Sequence, residues 1–243
     1  MNSLVWRVEH VPEVDSTNDV VAGRARAGEP EGLALLADHQ SRGRGRLGRT
    51  WAATPGTGLL CSLLLRPTLG DDQVQWAVAA VALSARAALA VHGVACDLKW
   101  PNDLMVGGEK IAGILAERVS TPSRGVVVGL GVNLSDCPPD VGATHVGRFT
   151  DAVPSPRELL FTLLGEVSAR RDLLDTPEGL ARLAGEYRDA LATIGQRVVV
   201  VQRDTSWEGT ALGVDDAGHL IVRTGDGERV VAAGDVIHLR VAP

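Results

Sequence analysis

The chain has 243 residues, 45% hydrophobic and 22% charged, which supports one large core plus a small appended unit and argues against wholesale disorder. Its net charge of −6 argues against a protein whose whole surface binds nucleic acid, and no run of 18 uninterrupted apolar residues offers a membrane span. Cys61, Cys96 and Cys137 are odd in number and far apart, with neither metal-ligand spacing nor a disulfide framework, as expected of free thiols in a reducing cytoplasm.

Leu4, Trp6 and Val8 alternate, predicting a first strand over 4–11, and the early acid speaks against a signal peptide. A turn at 12–15 leads to a helix over 18–27, with Asp15, Ser16 and Thr17 as capping candidates. A short buried strand is predicted at 33–37, a glycine-rich loop at 40–57 and a strand at 59–65. The clearest helix is predicted over 71–92, capped by Asp71 or Asp72, with one apolar face and Gly93 ending it. Short strands follow at 97–100, 104–106, 110–119 and 125–134, with hairpin turns at 107–108 and 122–125. A loop at 138–154 precedes two helices, 155–174 and 176–192, each opened by a Ser or Thr cap and a Pro. After Gly195 five short strands are predicted, at 197–202, 207–214, 219–224, 228–231 and 236–241, which suggests a small β-barrel. Cys61 and Cys96, in apolar surroundings, read as core residues.

Four segments carry charge or glycine where neither is cheap. Residues 41–51 hold Arg42, Arg44, Arg46 and Arg49 among Gly43, Gly45 and Gly48, followed by Trp51. Crowded guanidinium groups repel one another unless an anion or solvent stabilises them, and the glycines let backbone amides approach a ligand. The segment lacks the Gly-Lys-Ser/Thr ending of a phosphate-binding loop, so it reads either as a small-anion site or as a solvated or RNA-binding basic patch. At Lys99-Trp100-Pro101-Asn102-Asp103 a strand ends in a turn; Asn102 and Asp103 either face a site or bond their own backbone. Lys110 enters an apolar strand as an edge gatekeeper or as a cation aimed into a pocket. Gly129 and Gly131 mark either a ligand's close approach or a bulge. Only two lysines stand beside 22 arginines, and both, Lys99 and Lys110, fall in these segments.

Taken in order, these segments resemble the catalytic domain of biotin–protein ligases. The resemblance rests on Gly43–Trp51, Lys99–Asp103, Lys110–Leu115, Gly129–Leu134 and the early triplet Ser16-Thr17-Asn18. It implies an α+β fold: a mixed β-sheet with helices packed on it, as in class II synthetases, over residues 1–193, and a C-terminal SH3-like β-barrel over 194–243. It implies ATP-dependent activation of biotin to biotinyl-5'-AMP with release of pyrophosphate, then transfer to a lysine of a biotin carboxyl carrier protein. Ser16, Thr17, Asn18, Gln40, Gly43, Arg44, Lys110, Gly113 and Gly131 are expected to hold biotin. Arg46, Arg49, Trp51, Lys99, Asn102, Lys110 and Asn133 are expected to hold ATP, with Mg²⁺ accompanying it through unassigned ligands. Lys110, Arg46 and Arg44 are the expected catalytic cations, and Asp103 is expected to orient or deprotonate the acceptor amine. The short lead before Ser16 predicts no DNA-binding module, and the expected state is a cytoplasmic monomer or homodimer without membrane or DNA partners. Lipoate ligases share the fold in outline; Lys99–Asp103 and Ser16–Asn18 favour biotin.

Overall fold

The first strand, β1 (Arg7–Val14), pairs in parallel with β2 (Leu33–Gln40) at one edge of a seven-stranded mixed sheet. The computed structural model describes residues 4–68, 70, 74–120, 124–139, 142–202, 205–232 and 234–238. β1 starts later than predicted and runs through Pro12 into the expected turn. An edge strand tolerates Pro, because the missing N–H is needed by no second neighbour. The sheet continues through β3 (Gly58–Leu65), β7 (Gly125–Asn133), β6 (Glu109–Val119), β5 (Asp103–Val106) and β4 (Asp97–Lys99), all antiparallel.

Central β3 is buried at all eight positions, as its sequence GLLCSLLL requires of a strand covered on both faces. Alternate residues serve the two sides. Leu33, Leu35, Leu64 and Val127 meet Val21, Ala22 and Ala25 of α1 (Thr17–Arg26). Ala34, Leu36, Cys61, Leu63 and Val128 join the larger core beneath α2 (Val74–Val91), α3 (Pro156–Arg171) and α4 (Pro177–Ala190). α2 is long and apolar enough to cross a membrane by length and composition. It packs against β6, β7, α3 and α4, so 12 of its 18 residues are buried rather than one face. Its predicted caps, Asp71 and Asp72, lie outside the described residues. Ser155 and Glu158 form a capping box at α3, and Thr176 caps α4. α3 ends before the predicted 174 because its last turn tightens into a 3₁₀ turn, Asp172–Asp175.

The C-terminal strands β8 (Arg197–Val201), β9 (Ser206–Val214), β10 (Leu220–Thr224), β11 (Gly227–Val231) and β12 (Asp235–His238) form an antiparallel five-stranded sheet ordered β11-β10-β9-β8-β12. The predicted last strand begins one residue earlier than expected, and its residues beyond 238 lie outside the described set. Val198, Val200, Ala211, Val222 and Val236 fill its inner face and join the main core. Two tryptophans fasten it: Trp76 Nε1 donates to the Asp216 carbonyl at 2.8 Å, and Trp100 Nε1 to that of Gly218 at 3.0 Å. The small sheet is thereby held against the end of the large one where the charged segments lie.

Candidate active site

On the α1 side of the sheet, Gly113 of β6 and Gly129 and Gly131 of β7 leave a floor without side chains. Gly113 and Gly131 are direct cross-strand partners. A Cβ on Gly129 would collide with Asn18; one on Gly131 would lie 2.6 Å from Trp51 Nε1, and one on Gly113 2.9 Å from Trp51 Cζ3. The glycines are regular ladder residues that allow close approach. Above them lies a cleft walled by the start of α1, by residues 44–51 and by the segment around Asn102 and Lys110.

The N-terminus of α1 forms one wall. Ser16 occupies the N-cap, but its side chain makes no capping bond, and Asp15 is taken by Ser41 and Arg42. The expected caps therefore do not cap. Ser16, Thr17 and Asn18 are instead buried and line the cleft. Gln40 reaches the cleft because β2 runs three residues further than predicted. Its Oε1 accepts from Thr17 N at 2.8 Å and stands 3.0 Å from Thr17 Oγ1. Ser62 Oγ lies 2.7 Å from Thr17 Oγ1 and 2.6 Å from Asn18 Oδ1.

The arginine segment is a folded excursion. Trp51 N donates to Gly43 O at 3.0 Å, Gly45 N to Arg49 O at 2.7 Å, and Arg44 bridges to Thr50. A 3₁₀ turn, Arg46–Gly48, forms the tip, where Leu47 takes a left-handed φ of 55°. Arg44, Arg46, Arg49 and Trp51 line the cleft, while Gly43 closes the base of the excursion without lining it. The indole lies on Gly113 and Gly131, its Nε1 buried without a hydrogen-bond partner.

From the opposite side come Asn102, Asp103 and Lys110. The Pro101 carbonyl is held from behind by Gln75 Nε2 at 2.9 Å and Tyr187 Oη at 3.3 Å. Asn102 is pinned by its Nδ2 on the Ile114 carbonyl at 2.8 Å, so it does not merely bond its own turn. Lys110 Nζ pairs with Asp103 Oδ1 at 2.7 Å and stands 5.4 Å from the Trp51 ring centroid. Arg44 pairs with Asp19 at 2.6 Å and Glu117 at 2.7 Å.

Two cations are left without a carboxylate in contact. Among the described residues the Arg46 guanidinium donates only to Asn102 Oδ1, at 3.3 Å, and the Lys99 side chain makes no hydrogen bond or ion pair. Burial lowers the pKa of both, against weaker opposition from the nearby charge of Asp103. Lys99 lies beside the cleft rather than in its lining, opposite Asp103 in the ladder. Asn133 is not brought in: its Nδ2 is committed to the Thr144 carbonyl at 3.0 Å within the interior.

Residues 11–133 match the model of the biotin/lipoate A/B protein ligase family, just over half of the chain. The chain belongs to this family. Residues 193–239 match the biotin protein ligase C terminal domain. The chain is 38% identical to the biotin–[acetyl-CoA-carboxylase] ligase of Mycobacterium tuberculosis over 97% of its own length and 90% of the relative's. Identity to the ligase of that name from Paracoccus denitrificans is 35%, over 91% and 96% of the two chains. Among solved structures it is similar to the Aquifex aeolicus biotin protein ligase in complex with biotin and ATP. That similarity has a TM-score of 0.81 and 26% identity, covering 97% of this chain and 99% of the other.

In this member of the ligase family, several residues of the cleft carry no signature in the sequence. Ser62 is one polar residue in an apolar strand, and Cys61 lines the cleft from the same strand, its thiol pushed up to about 12 by burial. Asp235, from the small sheet, lines the cleft and pairs with Arg49. Glu117 was reachable by parity, since it shares the inward face of β6 with Gly113. No group of three or more His, Cys, Asp or Glu is placed to hold a metal among the described residues. The lining carboxylates Asp103 and Asp235, and Asp19 and Glu117 behind Arg44, each face a cation. A protein cage for Mg²⁺ is therefore not built here; the ion fits as a companion of nucleotide phosphates, whose charge it would neutralise.

Proposed function

We propose that this ligase activates biotin with ATP, forming biotinyl-5'-AMP and releasing pyrophosphate, then transfers the biotinyl group to a lysine of a biotin carboxyl carrier protein or carboxylase domain. The observation that carries this reading is the convergence of Arg46 and Lys99, half-buried and unpaired with carboxylates, with Arg44, Arg49 and Lys110 around a glycine-floored cleft. Burying cations without counter-charge is costly, and the cost is recovered when anions arrive.

Both substrates are anionic, and a carboxylate attacks phosphorus only where their repulsion is cancelled. Lys110, in the cleft lining, serves both the biotin carboxylate and the α-phosphate. Arg44 and Arg46 share that charge; Arg49 and Lys99 serve the rest of the triphosphate. An oxygen of the carboxylate forms a bond to the α-phosphorus, and the bond to the pyrophosphate oxygen breaks. Thr17, Asn18, Ser16 and Gln40 supply donors and acceptors for the ureido head, which itself carries both. Gly113 and Gly131 give the fused rings their floor once the Trp51 indole turns toward the adenine, beside Asn102. Asn133 drops out of the nucleotide contacts.

In the second step an acceptor amine attacks the acyl carbon and AMP leaves. Asp103, at the mouth beside Lys110, receives or orients the amine proton. Asp103→Asn is expected to retain adenylate formation and slow transfer about a hundredfold; equal loss in both steps removes Asp103 from this role. The test of the whole reading is ATP–pyrophosphate exchange dependent on biotin, with lipoate and octanoate offered in parallel. Exchange with those acids and none with biotin would replace the substrate. We place the enzyme in the cytoplasm, where its three free cysteines stay reduced.

A further inference from the structure

We infer that Glu117 is a positioning residue that couples the wall recognising the vitamin's head to the arginine excursion, through a single carboxylate oxygen. The inference rests on the biotin reading above. Glu117 Oε2 accepts from Asn18 Nδ2 at 2.8 Å and from Arg44 Nη2 at 2.7 Å. One contact leads into the wall and the other to the excursion.

The direction of the bonds from Asn18 through Ser62 to Thr17 follows from that oxygen. A carboxylate only accepts, so it holds the Asn18 amide with nitrogen outward and Oδ1 inward, toward Ser62. Asn18 Nδ2 also donates to the Leu115 carbonyl at 3.2 Å, which reinforces this orientation. Asn18 Oδ1 has no proton, so the single proton of the fully buried Ser62 hydroxyl is spent on it at 2.6 Å. Thr17 Oγ1 then faces two acceptors, Ser62 Oγ at 2.7 Å and Gln40 Oε1 at 3.0 Å, and has to donate. The proton pattern presented to a ureido group is thus fixed by an acid outside the set expected from sequence. The same acid parks Arg44 beside Asp19.

Glu117→Gln keeps the size and removes both the charge and the obligatory acceptor. It is expected to raise the KM for biotin about tenfold in pyrophosphate exchange while kcat changes less than threefold. Arg44→Gln should then cost less in the Glu117→Gln background than in wild type, because the two act through one contact. Asn18→Asp should also raise the biotin KM, by setting two carboxylates against each other. Adding Glu117→Gln to it should lower that KM again, since the introduced amide can donate to the new carboxylate and Ser62 still donates inward. Thermal melts of the full-length variants accompany each measurement. An unchanged biotin KM in folded Glu117→Gln, independent effects in the Arg44 cycle, or no rescue of Asn18→Asp overturns the inference. If Glu117→Gln does not fold, Asn18→Asp with its rescue decides alone, and failure of the pair to recover counts against it. Wild-type protein without biotin-dependent exchange would instead overturn the functional reading, whatever the variants do.

Discussion

Two arginines withdrawn from solvent to different depths teach opposite lessons. Arg171, its side chain 8% exposed, is clasped by Glu31 and Asp175 and donates to the Arg66 carbonyl at 2.9 Å. Burial lowers its pKa, but the two carboxylates outweigh burial and the net shift is upward. Arg46 is also largely withdrawn from water, yet it has one amide contact and its pKa falls. Arg171, buried with its counter-charges, belongs to the scaffold. Arg46, withdrawn from water without any, is held ready for a ligand, and Lys99 is a second case.

The contrast can be broken by substitution. Lys110→Ala, which removes the cation shared by both substrates, is expected to lower biotin-dependent exchange by about 10²–10³ while the melting curve changes little. Arg171→Met should do the reverse. Glu31 and Asp175 then keep only the Arg66 and Thr68 donors, which is expected to cost about 1–3 kcal/mol of stability in denaturant titration, with activity per folded molecule unchanged. A fully stable Arg171→Met would dissolve the distinction.

Lys99 sharpens the comparison through pH. Its folded pKa lies below 10.5, so between the two values the unfolded chain binds more protons and stability rises with pH. Lys99→Met is expected to flatten that alkaline rise and to be no less stable than wild type near neutrality, while the KM for ATP increases. The smallest effect is expected at the sheet-to-sheet contact. Asp235→Asn weakens the hold on Arg49 across a partly exposed pair, so the ATP KM should move only a few fold, and less at high salt. A change in biotin KM alone would mean that Asp235 acts elsewhere.

Much of this was legible in the sequence because caps, turns and alternation are local. Ser155-Pro156 and Thr176-Pro177 mark their helices, and apolar or alternating runs mark most strands along the chain. The cationic segments stood out because arginine and glycine at such density conflict with ordinary packing. What was not legible depends on three-dimensional neighbours. α2 reads as one-faced until the sheet and α3 surround it. Asn133 reads as a nucleotide contact until the Thr144 carbonyl claims its amide. Ser62 and Asp235 owe their place to pairings that no spacing encodes. Trp51 lies on the floor because Gly113 and Gly131 have no side chains to keep the indole off it.

The central claim is that Arg46 is half-buried without a counter-charge for the sake of an anion. Thermal unfolding of Arg46→Met and wild type, each with and without biotin plus ATP, tests it most directly. The account predicts an unliganded melting temperature at or above that of wild type and loss of most of the ligand-induced rise. A variant that melts well below wild type yet keeps the full rise would show that Arg46 supports the fold and not the substrates.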